Sequence, residues 1–202
     1  MESAEIEALT QAVMRRLFVP LEASGRHVHV TEMEALTLFG HKLTPKRPLS
    51  QPGQFLSNER VAVVGPKGEL HNVAVLGPER KEAQVEISLT DGRPLGITPP
   101  VRMSGDVTGS PGVTLVGPIG QVDLKQGVIA AQRHIHVSPE DGTRLGLRDK
   151  QVVKLRTFTQ RPVVFDDVVV RVHKDFATSV HLDYDEANAC GFQNGDVGRI
   201  LT

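Results

Sequence analysis

One short motif in this chain occurs twice. Arg26-His27-Val28-His29-Val30-Thr31 returns 107 residues later as Arg133-His134-Ile135-His136-Val137-Ser138, and self-similarity of this kind is the signature of a repeated structural unit. A weaker pair follows in the same order: Val85-Glu86-Ile87 leading to Gly96-Ile97 matches Val180-His181-Leu182 leading to Gly191-Phe192, offset by 95 residues. The two offsets place about 12 extra residues in the first copy. A length of 202 residues allows one large domain or two small ones, and the repeat favours two homologous halves. Their expected bounds are 20–105 and 106–202, with a segment 1–19 in front and the stretch Ser104 to Pro111 as the junction.

The halves read as mainly β. Val-rich runs at 60–64, 71–76, 84–89, 112–116, 127–131, 151–157, 163–172 and 179–183 are separated by Gly and Pro signals. Many short strands at this spacing predict an all-β barrel or sandwich carrying short helices. The turns Gly65-Pro66-Lys67-Gly68 and Gly117-Pro118-Ile119-Gly120 have hairpin composition. Aromatic content of only 4%, with 19 Gly and 13 Pro, fits the same picture of short strands and many turns. Residues 3–18 differ from the rest: Ile6, Leu9, Val13 and Leu17 fall three or four apart among charged residues. That spacing predicts an amphipathic helix. Periodicity alone favours a helix packed on the protein body, with docking into a partner's groove as the sharper reading.

The repeat also carries the chemistry. In a strand, residues i and i+2 share a face, so His27 and His29 project together, as do His134 and His136. The second repeat pair aligns Glu86 with His181, giving the sets His27, His29, Glu86 and His134, His136, His181. His₂Glu and His₃ are ligand sets of catalytic zinc sites that leave a coordination position open. Nitrogen and oxygen donors point to a divalent ion such as Zn²⁺. These sets use five of the eight histidines, and His41, His71 and His173 are assigned to the surface. A His-x-His followed by Glu32 or Glu140 would also fit a cupin-type metal oxygenase. The context favours helix starts instead, because Thr31 to Glu34 forms a capping box and Ser138-Pro139 a cap followed by a first-turn proline. A metal-stabilised β module without catalytic activity is the other alternative. Arg80, six residues before Glu86, could reach an anion beside the metal with its bidentate fork. Arg26 and Arg133 should face away from their neighbouring histidines, and Cys190 reads as a small core residue.

Charge and composition narrow the classes. A formal net charge of −1 argues against nucleic-acid binding driven by phosphate contacts, and no stretch approaches the ~20 apolar residues of a membrane helix. One cysteine and an acidic start without a secretory pattern lead to the expectation of a cytoplasmic protein.

Taken together, Ser24-Gly25-Arg26-His27-Val28-His29, Leu49-Ser50-Gln51-Pro52-Gly53-Gln54-Phe55, Val64-Gly65-Pro66-Lys67-Gly68, Gln84-Val85-Glu86-Ile87-Ser88, Gln132-Arg133-His134-Ile135-His136 and Asp185-Glu186-Ala187-Asn188 resemble the PduL-type phosphotransacylases. These are the phosphate propanoyltransferases found with bacterial microcompartments. The resemblance covers essentially the whole chain. It implies two β-barrel half-domains and a two-zinc site between them. It also implies interconversion of acyl-CoA plus phosphate with acyl phosphate plus CoA, the acyl group being propanoyl or acetyl. His27, His29 and Glu86 would hold the ion near the CoA sulfur, and His134, His136 and His181 the second. Arg80 matches the family's phosphate-binding position, and Ser24, Lys67 and Asn188 fall in segments that contact CoA. The chain departs from the family at Gly25, where Ala or Asn is usual, and at Ala74, where a basic residue commonly contacts a CoA phosphate. The resemblance further implies a homodimer and, through residues 3–18, docking to a microcompartment shell with residence in its lumen.

Overall fold

The computed structural model describes residues 3–201. In chain order these form α1 (Ser3–Leu17), β1 (Val19–Ser24), β2 (His27–His29), α2 (Glu32–Phe39), β3 (Pro45–Pro48), β4 (Phe55–Val64), β5 (Glu69–Gly77), β6 (Gln84–Glu86), α3 (Leu89–Leu95) and β7 (Val101–Arg102). There follow β8 (Val113–Val116), β9 (Gln121–Leu124), β10 (Val128–Ala131), β11 (His134–Val137), α4 (Pro139–Leu145), β12 (Val152–Phe158), β13 (Val164–Val172), β14 (Ser179–Asp183), α5 (Tyr184–Cys190) and β15 (Val197–Leu201). The chain is mainly β and divides into two compact units.

The larger unit comprises Gly25–Gln132 with Asp183–Asp185. Its nine strands run in the order β7-β10-β6-β2-β5-β4-β8-β9, with β3 added to β4. Strands β2 and β6 are buried at every position, as expected of strands covered on both faces. Val28, Val63, Val75, Val85, Leu95 and Leu115 are fully buried in its core. Both predicted hairpin turns form, with Gly65 N–H donating to Gly68 O and Gly117 N–H to Gly120 O, each at 2.9 Å.

The smaller unit takes the chain up to Ser24, Arg133–Leu182 and the chain from Glu186 onward. Its six strands close a barrel in the order β1-β14-β11-β13-β12-β15, with β15 returning to β1. Strand β12 alternates strictly between exposed and buried residues, the period-2 pattern of a half-buried strand. Ile135, Val137, Leu155, Val168, Val170, Val180 and Leu182 fill the interior.

The repeat is visible as structure. In each unit a His-x-His strand feeds a short helix started by a hydroxyl cap: Thr31 accepts from Glu34 N–H at α2 and Ser138 from Asp141 N–H at α4. Both helices stop at a left-handed glycine, Gly40 and Gly146, where a residue without Cβ carries positive φ without strain. Glu32 and Glu140 thus lie in first helical turns, as the capping pattern predicts.

The unit boundaries differ from those expected at 19/20 and 105/106. Strand pairing decides them: β8 joins β4, β9 joins β8, and β10 joins β6 and β7, so residues 106–132 stay with the larger unit. In turn, β1 pairs with β15 and closes the other unit's barrel. The N-terminal helix forms, but Ile6, Leu9, Val13 and Leu17 are 47–56% exposed. The packed reading of this helix does not hold for its apolar stripe, which faces solvent. Its anchor lies just beyond, where Phe18 meets Phe158 edge to face at 5.1 Å. No helix among the described residues is long and apolar enough to cross a membrane.

Candidate metal and anion site

Strand register builds the two histidine sets. In the larger unit β2 pairs antiparallel with β6 so that His27 is opposite Glu86. In the smaller unit β11 pairs antiparallel with β14 so that His134 is opposite His181. Directly opposed residues share a face of the sheet, so the third ligand-type side chain meets the His-x-His pair by the same geometry in both copies. Within each set the ligand atoms lie within 4.8 Å of one another.

In the first set, Nε2 of His27 and of His29 stand 3.6 Å and 4.0 Å from Glu86 Oε1. The His27 ring is oriented by a hydrogen bond between Nδ1 and Gly25 O at 2.8 Å, the kind of backbone contact that fixes the tautomer of a metal-binding histidine. Nδ1 of His29 is buried. Burial opposes protonation of His27, but the charge and hydrogen bond of Glu86 more than offset it and leave its pKa raised. Burial, then the charges of His27 and Arg80, hold His29 well below the usual imidazole value. Burial alone would raise the pKa of Glu86. The His27 and His29 charges and hydrogen bonds from His27 and Ser104 outweigh it and hold the carboxyl well below the usual range. Glu86 is thus favoured as the carboxylate and His29 as the neutral imidazole, the forms that ligate a metal, while the Glu86 charge favours a proton on His27.

The second set is three imidazoles. His134 stacks parallel to His181 at 5.1 Å, and His136 lies 4.7 Å and 4.5 Å from the other two ring centroids. His136 also stacks on Phe176 at 4.0 Å, and Ser179 Oγ hydrogen-bonds His181 Nε2 at 3.1 Å. Both donor sets, nitrogen and oxygen only and largely buried, fit a borderline divalent cation such as zinc with a position left open.

Arg80 is brought to the first set. Its backbone N–H donates to Val30 O at 2.8 Å, its guanidinium reaches Ser104 Oγ at 3.5 Å, and its charge acts on both His27 and His29. Ser24, Lys67 and Asn188 lie on three separate elements: the end of β1, the β4–β5 turn and the exposed face of α5. Lys67 lays its stem over Gly96, where an added Cβ would come within 2.5 Å of it. His41, His71 and His173 are exposed, and Cys190 is fully buried, as predicted. Arg26 turns to Asp91 at 3.3 Å, and Arg133 pairs with Glu186 and donates to Asp166 O. Neither Glu32 nor Glu140 belongs to a ligand set. Glu32 pairs with Lys42 at 2.8 Å, away from any cupin-type role.

Two residues of this site were not singled out by sequence. Ser104, read as the start of a junction, donates to Glu86 Oε1 at 2.8 Å, and Gln84 also donates to that oxygen. Gln84 stands in the motif Gln84 to Ser88 and two residues before Glu86, on the same face of β6, but neither signal gives it a role.

A duplicated β framework with two register-matched ligand sets, one beside a guanidinium, is a protein with two candidate metal centres. The chain matches the sequence profile of the phosphate propanoyltransferase family over residues 20–193. It is 50% identical to a phosphate propanoyltransferase of Listeria monocytogenes, over 97% of this chain and 93% of the relative. It is 53% identical to one of Enterococcus faecalis, over 90% and 87%, and 46% identical to one of Thermotoga maritima, over 98% and 95%. The chain belongs to the phosphate propanoyltransferase family and is an enzyme of the phosphate acyltransferase type.

Proposed function

We propose that this enzyme moves a short acyl group, propanoyl or acetyl, between CoA and inorganic phosphate. The observation that carries the reading is the placement of Arg80 beside the His27, His29 and Glu86 set. A guanidinium that can grip a phosphate in bidentate fashion there stands next to a site for a Lewis-acidic ion. His27, His29 and Glu86 would hold one zinc ion, and His134, His136 and His181 a second. When bound, the ions supply charge stabilisation for the thioester carbonyl and its sulfur leaving group.

The residues of the chain supply orientation. Arg80 holds phosphate against the thioester carbonyl, largely a proximity effect. A phosphate oxygen bonds to the acyl carbon, the carbon–sulfur bond breaks, and CoA departs as thiolate. Phosphate is itself the nucleophile, so no acyl-enzyme is required, in keeping with a buried Cys190 whose thiol pKa is raised by burial. Ser24, Lys67 and Asn188 would contact CoA, and Ala74 offers no cation to its phosphates.

The solvent-facing apolar stripe of α1 supports docking of this helix to a microcompartment shell, with the enzyme in the lumen, and a dimer is the expected assembly. The test of the activity is phosphate-dependent release of CoA thiol from propanoyl-CoA and acetyl-CoA. Release should stop with chelator and return with Zn²⁺. Zinc-replete protein that releases no thiol from either substrate would refute the reading.

A further inference from the structure

The turn after β7 places one hydroxyl at the meeting point of three site residues. Asp106 N–H donates to Met103 O at 3.0 Å, and Gly105 at the turn's centre adopts φ +99°. Gly105 N–H also donates to Gln84 Oε1 at 2.6 Å, clamping the turn to β6. Ser104 is thereby held with its Oγ 2.8 Å from Glu86 Oε1, 2.9 Å from Gln84 Nε2 and 3.5 Å from Arg80 Nη1.

The proton count fixes the direction of these bonds. A serine hydroxyl has one proton and two lone pairs, while guanidinium and amide nitrogens only donate and an ionised carboxylate only accepts. The single proton therefore goes to Glu86, and the lone pairs take the Gln84 and Arg80 hydrogens. This one hydroxyl touches both the anionic member of the first ligand set and the guanidinium beside it.

We infer that Ser104 is a positioning residue that links the Arg80 guanidinium to the Glu86 carboxylate and so couples phosphate binding to retention of the ion at the first set. The inference rests on the proposed roles of Arg80 and Glu86. Phosphate on Arg80 draws the guanidinium into a fixed pose, the Ser104 hydroxyl holds its orientation, and Glu86 is kept aimed at the ion. Coupling between two binding events is reciprocal, so phosphate should slow loss of that ion as much as the ion aids phosphate.

The experiment uses the zinc-loaded full chain, its Ser104→Ala variant and Ser104→Thr, which keeps a hydroxyl. Thiol-release kinetics give separate KM values for phosphate and acyl-CoA, and a chromogenic chelator follows zinc release with and without inorganic phosphate. Loss of a hydrogen bond to a charged group predicts that Ser104→Ala raises the phosphate KM by about tenfold, with the acyl-CoA KM within about twofold. One of the zinc equivalents should leave faster, the phosphate protection seen in the wild type should largely vanish, and Ser104→Thr should restore both. Equal rises in both KM values, or protection by phosphate that survives in Ser104→Ala, would overturn the coupling. So would a Thr variant as impaired as Ala, which marks a packing role. Absence of phosphate-dependent thiol release in the wild type would instead overturn the proposed reaction itself, and the zinc-release arm would then report on the Ser104–Glu86 contact alone.

Discussion

Replacing Gly25 with alanine should destabilise this protein, and removing Tyr184 should reverse the sign. A Cβ built on Gly25 would lie 2.6 Å from the Tyr184 hydroxyl oxygen and 2.7 Å from its ring carbon Cζ. The clash is with the outer end of a side chain that is 45% exposed, so the ring can swing outward, and the cost falls in the lower half of the overpacking range, about 1.5 kcal/mol. Gly25 is not in the left-handed region, so alanine also restricts the unfolded chain, worth about 0.5 kcal/mol in favour of folding. The net expectation is a loss of about 1 kcal/mol, or a Tm lower by about 2–4 °C for a chain of this size. In a Tyr184→Ala background the clash is absent and the same change should gain about 0.5 kcal/mol. The assay is a four-protein cycle of denaturant melts. Equal effects of Gly25→Ala in both backgrounds would refute the packing account. The site should register the change too, because Gly25 O is the acceptor that orients His27. Faster zinc loss should therefore accompany the clash and be relieved in the double variant.

Three other outcomes follow from the geometry. His181→Ala should lower zinc content by one ion per chain and leave the His27, His29 and Glu86 set loaded, as read by metal analysis after dialysis; loss of both ions or of neither contradicts two separate ligand sets. Arg80→Ala should raise the phosphate KM by at least tenfold while zinc content stays unchanged, as read by thiol-release kinetics and metal analysis. Burial opposes ionisation of Asp141, but hydrogen bonds from Thr178 and Arg144, with the Arg144 charge, hold its pKa below the usual value. A depressed carboxyl stabilises the fold above its unfolded pKa of about 4 and loses that contribution as pH falls through the lower folded value. Asp141→Asn should thus lower Tm by about 2–4 °C at pH 7, after allowance for solvent screening, and the difference should fade below about pH 4; a gap that widens in acid would invert the assignment.

How much of this was readable in the sequence depends on the range of the physics involved. His27 and His29 share a strand face by local periodicity, and the repeat carried Glu86 and His181 to equivalent places because one antiparallel register serves both copies. Helix caps at Thr31 and Ser138 are equally local. Ser104 was not readable, since its partner Glu86 lies 18 residues away and the contact depends on a turn folding back. The compact units divide the chain differently from its order for a related reason: order along the chain says nothing of whether β1 pairs with β15. The apolar stripe of α1 has the same spacing whether it is covered or open, so periodicity could not choose.

The pairing of β1 with β15 also sets a schedule for synthesis. Val19 is opposite Gly198, so β1 leaves the ribosome well before the strand it must pair with if the six-stranded barrel is to close. Gly25–Gln132, which makes up nearly all of the larger unit, is complete long before that. Because domains generally fold as units while the chain emerges, the segment Gly25–Gln132 should become structured first, with the β15-facing edge of β1 left unpaired until β15 has emerged. An exposed strand edge in that interval is a template for pairing with another nascent chain.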